Sequence, residues 1–269
     1  MTNQPLDPDS TEPDRIRTAV RERYAAATSS GSGCCAPSTG CCGAANPDQI
    51  AEALGYAADA TTSVPAGSNL GLGCGNPTGI ASLRAGETVL DLGSGAGFDA
   101  FLAARAVGPT GRVLGVDMTP EMLQTARANL ARSRFRNVEF RLGEIENLPV
   151  ADRSVDVILS NCVINLSPDK ARVFAEAFRV LKPGGRVAIS DIVALRPLPA
   201  AMRADLELHT GCVAGAATVA EVEAMLVAAG FTDVHVEPKG ELQQVVDGWF
   251  PGRGVEGYVA SANIRATKP

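Results

Sequence analysis

The sequence predicts an α/β protein built on a doubly wound, mainly parallel sheet, and three observations lead there. Short β-branched or apolar runs, "ETVLDLG", "RVLGVDM", "NVEFRLGE", "VDVILSN" and "GRVAISDI", recur after Gly86 with helical stretches between several of them. Thr119-Pro120 and Ser167-Pro168 are helix starts, and "KPGG" at Lys182 to Gly185 returns the chain to a strand. The first run passes from Asp91 through Gly93, Gly95 and Gly97 into a helix, as a strand-to-helix crossover requires.

Composition bounds the rest. With 269 residues, 45% hydrophobic and 20% charged, the chain can bury a full core as one globular domain with appendages. A net charge of -6 leaves no basic stripe to neutralise phosphates, which argues against a nucleic-acid or anionic-membrane partner and for a small one. The opening "MTNQPLDPDSTEPD" is acidic and proline-rich, unlike a secretory signal, and no apolar run approaches the ~18 residues of a membrane span, so a cytoplasmic protein is expected. Seven cysteines, odd in number and unevenly spread, argue against a disulfide framework and for metal, metalloid or redox chemistry.

In order along the chain, residues 1–28 read as a disordered tail and a short amphipathic helix at Asp14 to Ala27, with "RERY" a solvated face. Residues 29–82 hold a cysteine-rich loop, a helix capped by Asn46 with Pro47 at its first position, and the glycine-rich "SNLGLGCGNPTG". Residues 83–195 form the ligand-binding core described above. In residues 196–269, Thr218 and Glu221 form a capping box ahead of a helix, "TDVHVEP" and "VEGYVASANIRAT" read as strands, and the region completes the fold around a substrate. Trp249 is expected to pack under a loop.

The glycine loop brings backbone N-H groups close to a polar ligand, and Asp117, at the end of the second strand, is placed to accept ribose hydroxyls. The spacing G-x-G-x-G departs from the dinucleotide pattern and fits an adenosyl ligand that carries an amino acid. Asp99 either contacts that ligand or answers the helix dipole alone.

Together, "DLGSGAGFD", "GVDMTPEM", "GEIENLP" and "RVLKPGGR" resemble the Rossmann-like class I S-adenosylmethionine-dependent methyltransferases. Within that class "GLGCGNP", "SNCVINLSPDK" and "HTGCVAGA" are similar to the arsenite methyltransferases. The resemblance implies a cofactor pocket of Asp91, Gly93, Ser94, Gly95, Gly97, Asp117, Met118, Glu144, Ile145 and Asn161, and a catalytic set of Cys74, Cys162 and Cys212 that binds As(III).

The residues themselves leave more open. Cys162 follows a central strand, where open α/β sheets place their ligands, while any single cysteine is as readily an inert buried hydrophobe. Zinc is a competitor, although the spacings are not those of a structural zinc site; trivalent arsenic needs three thiolates and keeps a lone pair. Only two histidines occur, and neither pairs with a carboxylate or hydroxyl in a way that suggests acid-base work; His209 is read as a surface helix-end residue or an aid to Cys212. Cys34, Cys35, Cys41 and Cys42 read as arsenite-capturing or resolving thiols, or as incidental thiols of a tail.

The expected activity is methyl transfer from S-adenosylmethionine to thiol-bound As(III), giving mono-, di- and trimethylated arsenicals, with glutathione or a thioredoxin-type protein as reductant and detoxification as the role. Two alternatives stand: methyl transfer to a small organic acceptor, and non-catalytic sequestration of a metalloid.

Overall fold

The computed structural model describes residues 11–30, 46–240, 250 and 252–269. The cysteine-rich segment holding Cys34, Cys35, Cys41 and Cys42, and Trp249, lie outside them.

The apolar runs form β1 (Thr88–Leu92), β2 (Arg112–Asp117), β3 (Val138–Leu142), β4 (Val155–Asn161), β5 (Leu181–Ala194), β6 (Thr232–Pro238) and β7 (Val259–Thr267). They make one seven-stranded sheet in the order β3-β2-β1-β4-β5-β7-β6. The first five strands pair in parallel, and β7 runs antiparallel to both β5 and β6. The fold is therefore a mixed α/β sheet, parallel but for β7, as the resemblance implies, and residues 196–269 supply its last two strands.

The helices are α1 (Glu12–Ser30), α2 (Pro47–Ala53), α3 (Pro77–Ile80), α4 (Phe98–Val107), α5 (Pro120–Arg132), α6 (Lys170–Val180), α7 (Ala200–Arg203), α8 (Leu206–Thr210) and α9 (Val219–Ala229). Strand alternation divides the apolar residues between two cores, as a doubly wound sheet requires. Val89, Val113, Val157 and Leu159 pack with α4 and α5, whereas Leu90, Leu92, Ile158 and Ile189 pack with α6 and α9.

Caps explain several boundaries. Asn46 caps α2 and accepts from the Asp48 N-H, and Thr218 and Glu221 make the reciprocal capping box of α9. Helix α6 starts later than Ser167-Pro168 suggests, because Asp169 takes the cap and accepts from the Arg172 N-H.

Helix α1 departs from expectation. Of the "RERY" residues only Glu22 is exposed. Arg21 pairs with Glu144 at 2.8 Å, Arg23 donates to the Thr210 hydroxyl at 3.2 Å, and Tyr24 packs in the apolar cluster that holds the buried cysteines. Its partners lie more than 100 residues away, so local periodicity carries no trace of them.

Candidate active site

Strand order reverses between β1's two neighbours, β2 and β4, and a cleft opens beyond the carboxyl ends of these strands, where such sheets bind ligands. It encloses about 1040 Å³ including its open mouth. Asp91, Gly93, Ser94, Gly95, Asp117, Met118, Ile145, Asn161 and Cys162 all line it.

Gly93 has φ +66°, and a Cβ there would sit 2.4 Å from a Val163 methyl carbon, so the turn excludes side chains. Asp117 ties the loop down: one oxygen accepts from the Gly95 N-H at 2.9 Å and the other from the Thr119 N-H at 2.8 Å. Each oxygen retains a lone pair for a hydroxyl. Burial raises the Asp117 pKa, and those N-H donors act against the rise. Asp91 is pushed well up by burial and by the neighbouring Asp99 and Asp117 charges.

Asp91 Oδ2 and Ser94 Oγ are buried on this wall without a protein partner. Orphaned acceptors facing a cleft fit a ligand that brings its own donors and a positive charge, as the aminoacyl sulfonium of S-adenosylmethionine does.

Two sequence-predicted pocket residues stand elsewhere. Glu144 is not part of the wall; its carboxylate pairs with Arg21 at 2.8 Å and lies 3.7 Å from Arg17, which sits closer, at 3.3 Å, to Glu146. Its neighbour Glu146 lines the cleft instead, accepting from the Ser167 hydroxyl at 2.7 Å. Gly97 caps α4 behind the wall, where a Cβ would collide with Phe101 and Phe140.

Cys74, Cys162 and Cys212 are free and buried. Cys162 is on the cleft wall, while Cys74 and Cys212 lie behind it at 0% and 2% exposure. The Cys162 sulfur lies within 4.8 Å of that of Cys74, and its acidity responds to both other thiols. The Cys212 thiol also donates to the Cys162 carbonyl at 2.9 Å, and that of Cys74 donates to the Ser190 carbonyl at 3.5 Å. Cys162 and Cys212 both adopt left-handed backbone, φ +59° and +66°, a conformation that disfavours side chains and is retained where surroundings dictate it.

All three thiols stay protonated at neutral pH. Burial pushes Cys74 up to about 11. The Cys212 contact pulls Cys162 down, but the Cys74 contact, burial and the Asp191 charge leave it well above the ordinary thiol value. Cys212 is raised by its Cys162 contact and by burial.

Asn161 joins the two halves of the site. Its Oδ1 accepts from the Cys74 N-H at 3.0 Å; its Nδ2 faces the Gly75 carbonyl at 2.9 Å, the Tyr56 hydroxyl at 3.0 Å and Asp99 Oδ2 at 3.1 Å. Tyr56 donates to Asp99 Oδ1 at 2.7 Å. Asp99 is thus buried in a network, and burial lifts it to about 6 against the bonds from Tyr56 and Asn161.

Sequence reasoning missed Tyr56, Arg17, Tyr24 and Asp191. Tyr56 is a lone aromatic after a short helix, and Arg17 and Tyr24 reach the cleft from α1. Asp191 is buried in "AISDI", within 4.8 Å of the Cys74 and Cys162 sulfurs; an acid interrupting an apolar strand was its available signal. His209 is not on the surface: it is buried, Nε2 lies 3.4 Å from the Leu166 carbonyl, and burial lowers its pKa, leaving it neutral. Among the described residues no helix is long and apolar enough to cross a membrane.

Comparison with known proteins agrees with this geometry. Residues 83–230 match a methyltransferase-domain family model. An arsenite methyltransferase of Halobacterium salinarum is 53% identical over 96% of this chain and 68% of its own length. One from Aquipseudomonas alcaligenes is 50% identical over 56% of this chain, but only 46% of its own length is covered. Among solved structures, CrArsM, an arsenic (III) S-adenosylmethionine methyltransferase from Chlamydomonas reinhardtii, superposes with a TM-score of 0.62 at 35% identity, covering 82% of this chain and 73% of that one. A glycine loop and acid at the switch point, three buried thiols beside them and likeness over nearly the whole chain lead to one assignment: the chain belongs to the arsenite methyltransferase family of S-adenosylmethionine-dependent enzymes.

Proposed function

We propose that this chain methylates As(III) held by Cys74, Cys162 and Cys212. The observation that carries the reading is the convergence of three free, buried cysteines from separate segments, with Cys162 the common neighbour of the other two and on the wall of the cofactor cleft. Three S-H groups and arsenous acid give three S-As bonds and three waters. Each sulfur exchanges a proton for arsenic, so loading leaves a buried pocket neutral, as a low-dielectric site requires. Arsenic then sits at the inner end of the cleft with its lone pair open.

S-adenosylmethionine, when bound, supplies an electrophilic methyl group. The residues' part is to hold the two partners in line: Asp91, Ser94 and Gly95 on the amino-acid side, Asp117, Met118 and Ile145 on the nucleoside side, and the thiols behind the acceptor. No proton has to leave the arsenic, so the neutral, buried His209 needs no catalytic part.

Repeated turnover needs reduction. Methylated arsenic is formally pentavalent, and two thiols return two electrons to it by closing a disulfide, which glutathione or a thioredoxin-type dithiol then reopens. Cys34, Cys35, Cys41 and Cys42 supply arsenite capture or resolving thiols in this scheme, and mono-, di- and trimethylated arsenicals are its products.

The test is incubation of the purified chain with arsenite, methyl-labelled S-adenosylmethionine and a thiol, followed by chromatography of arsenic species. Label is expected on arsenic in the wild type and absent in Cys162→Ser, with S-adenosylmethionine binding retained. Unlabelled arsenic with the wild type, or turnover of an organic acceptor that survives Cys162→Ser, overturns the reading.

A further inference from the structure

Beside the thiols lies a carboxylate that the proposed reaction leaves unused. Asp191 is 1% exposed, and its oxygen comes within 4.8 Å of the sulfurs of Cys74 and Cys162. The backbone N-H groups of Ile164 and Ile192 donate to it at 2.8 and 2.7 Å, and Asn165 Nδ2 donates at 2.9 Å. Its charge reaches all three thiols and raises each of them. Both oxygens accept N-H groups, an arrangement that favours the ionised form; burial pushes Asp191 up to about 6, with those donors and Lys170 acting against the rise. Lys170 acts on it through its field, while its own ammonium donates to the Ser167 carbonyl at 3.2 Å.

We infer that Asp191 is the fixed counter-charge for arsenic as it turns cationic during methyl transfer, an inference that rests on the thiols being the arsenic site. In that step the arsenic lone pair forms the As-C bond and the C-S bond breaks. The electron pair of that bond stays on sulfur, leaving a neutral thioether. No proton moves, and one positive charge passes from sulfur to arsenic.

Arsenic bound by three thiolates is neutral, so the attraction of Asp191 is small at the start and grows as arsenic gains charge. An interaction stronger in the transition state than in the ground state accelerates the step. The three N-H donors already fix the carboxylate, so it needs no rearrangement at the moment of transfer. A buried site also screens the charge less than water does. Asp191 is a positioning and charge-bearing residue behind the ligands; it forms no bond to arsenic.

Two variants of opposite sign test this. Asp191→Asn in arsenic-loaded protein is expected to slow single-turnover transfer on the order of 10²-fold, with arsenic stoichiometry and the KM for S-adenosylmethionine unchanged. Lys170→Gln, at a half-buried position, removes the opposing charge but also lifts Asp191 further, so transfer is measured at about pH 8.5, where the carboxylate is ionised in both proteins, and is expected to speed up about threefold. The second readout uses protein with neither arsenic nor S-adenosylmethionine: the pH midpoint of Cys162 alkylation by iodoacetamide, resolved by peptide mass. It should fall in Asp191→Asn and rise in Lys170→Gln, a sign reversal that general loosening of the fold does not produce. Transfer at the wild-type rate in Asp191→Asn, slowing in Lys170→Gln, or an unmoved midpoint overturns the inference. If Asp191→Asn does not fold, Lys170→Gln decides it alone. A wild-type protein that methylates no arsenic refutes the thiol assignment instead, and the alkylation midpoints still report the field.

Discussion

Replacing Asn161 by alanine should destabilise the protein by about 3 kcal/mol and free the Cys74 loop. The side chain faces three acceptors with two amide hydrogens, and its oxygen accepts one N-H, so three bonds exist at once. A bond to an ionised acid such as Asp99 contributes ~2 kcal/mol and each neutral one ~1, giving roughly 4 before compensation. Asn161 is half-buried at the cleft, so water can replace part of that, which brings the expectation to about 3 kcal/mol, a fall in Tm of roughly 6–10 °C. Urea unfolding should show a lower midpoint at unchanged m. Because the Cys74 N-H loses its acceptor, Cys74 should also be alkylated faster than in the wild type. A loss below about 1 kcal/mol refutes the network, and a full loss with unchanged Cys74 labelling refutes the bridge to the thiol loop.

Three further outcomes are expected. Phe101→Ala empties a fully buried site packed against Phe135 and Phe140 and should cost about 4 kcal/mol by denaturant unfolding. Asp99 is lifted to about 6 from an unfolded value near 3.8, so the folded state binds its proton more tightly and ionisation destabilises it; the stability of wild type relative to Asp99→Asn should rise as pH falls from about 7 to about 4, by unfolding at each pH. Cys162 is left-handed, so Cys162→Gly should equal or exceed Cys162→Ala in stability, by about 1 kcal/mol, where glycine is ordinarily the less stable by ~0.5–1.

The sheet core was legible because its signals are local. Asp91 to Gly97 had to turn sharply, and a Cβ at Gly93 does meet Val163; the five parallel strands announced themselves by composition and by the helix starts between them. What local pattern cannot carry is the partner of a long-range contact. Arg21 finds Glu144 and Tyr56 finds Asp99 and Asn161 only after the chain has folded, so α1 read as a solvated helix and Asn161 as one pocket residue among several. Glu144 and Glu146 differ by two positions and both meet arginines of α1; only Glu146 also reaches Ser167 and the cleft, and no local pattern separates the two. Asp191 was hidden differently: its apolar neighbours made it read as strand, and its N-H donors come from a turn after β4 and from the strand's own next residue.

Under the proposed function, one strand end would serve two chemistries that oppose each other, and the geometry reconciles them. Acids suit the sulfonium and ribose of the cofactor, but negative charge suppresses thiolate formation, and Asp91, Asp99 and Asp117 crowd the same rim as Cys162. Separation by one residue resolves it. Asn161 turns its amide to Asp99 and to the Cys74 loop, and the left-handed step at Cys162 then redirects the backbone, so its N-H reaches the Ser190 carbonyl at 2.8 Å and its own carbonyl accepts from Cys212. The thiols remain protonated until a soft acceptor arrives that replaces protons without bringing net charge. In the proposed reaction the loading species, arsenous acid, brings no net charge, so acids placed on the cofactor side leave its entry unhindered. Acid rim and sulfur pocket are then parts of one device, and the amide of Asn161 is the joint between them.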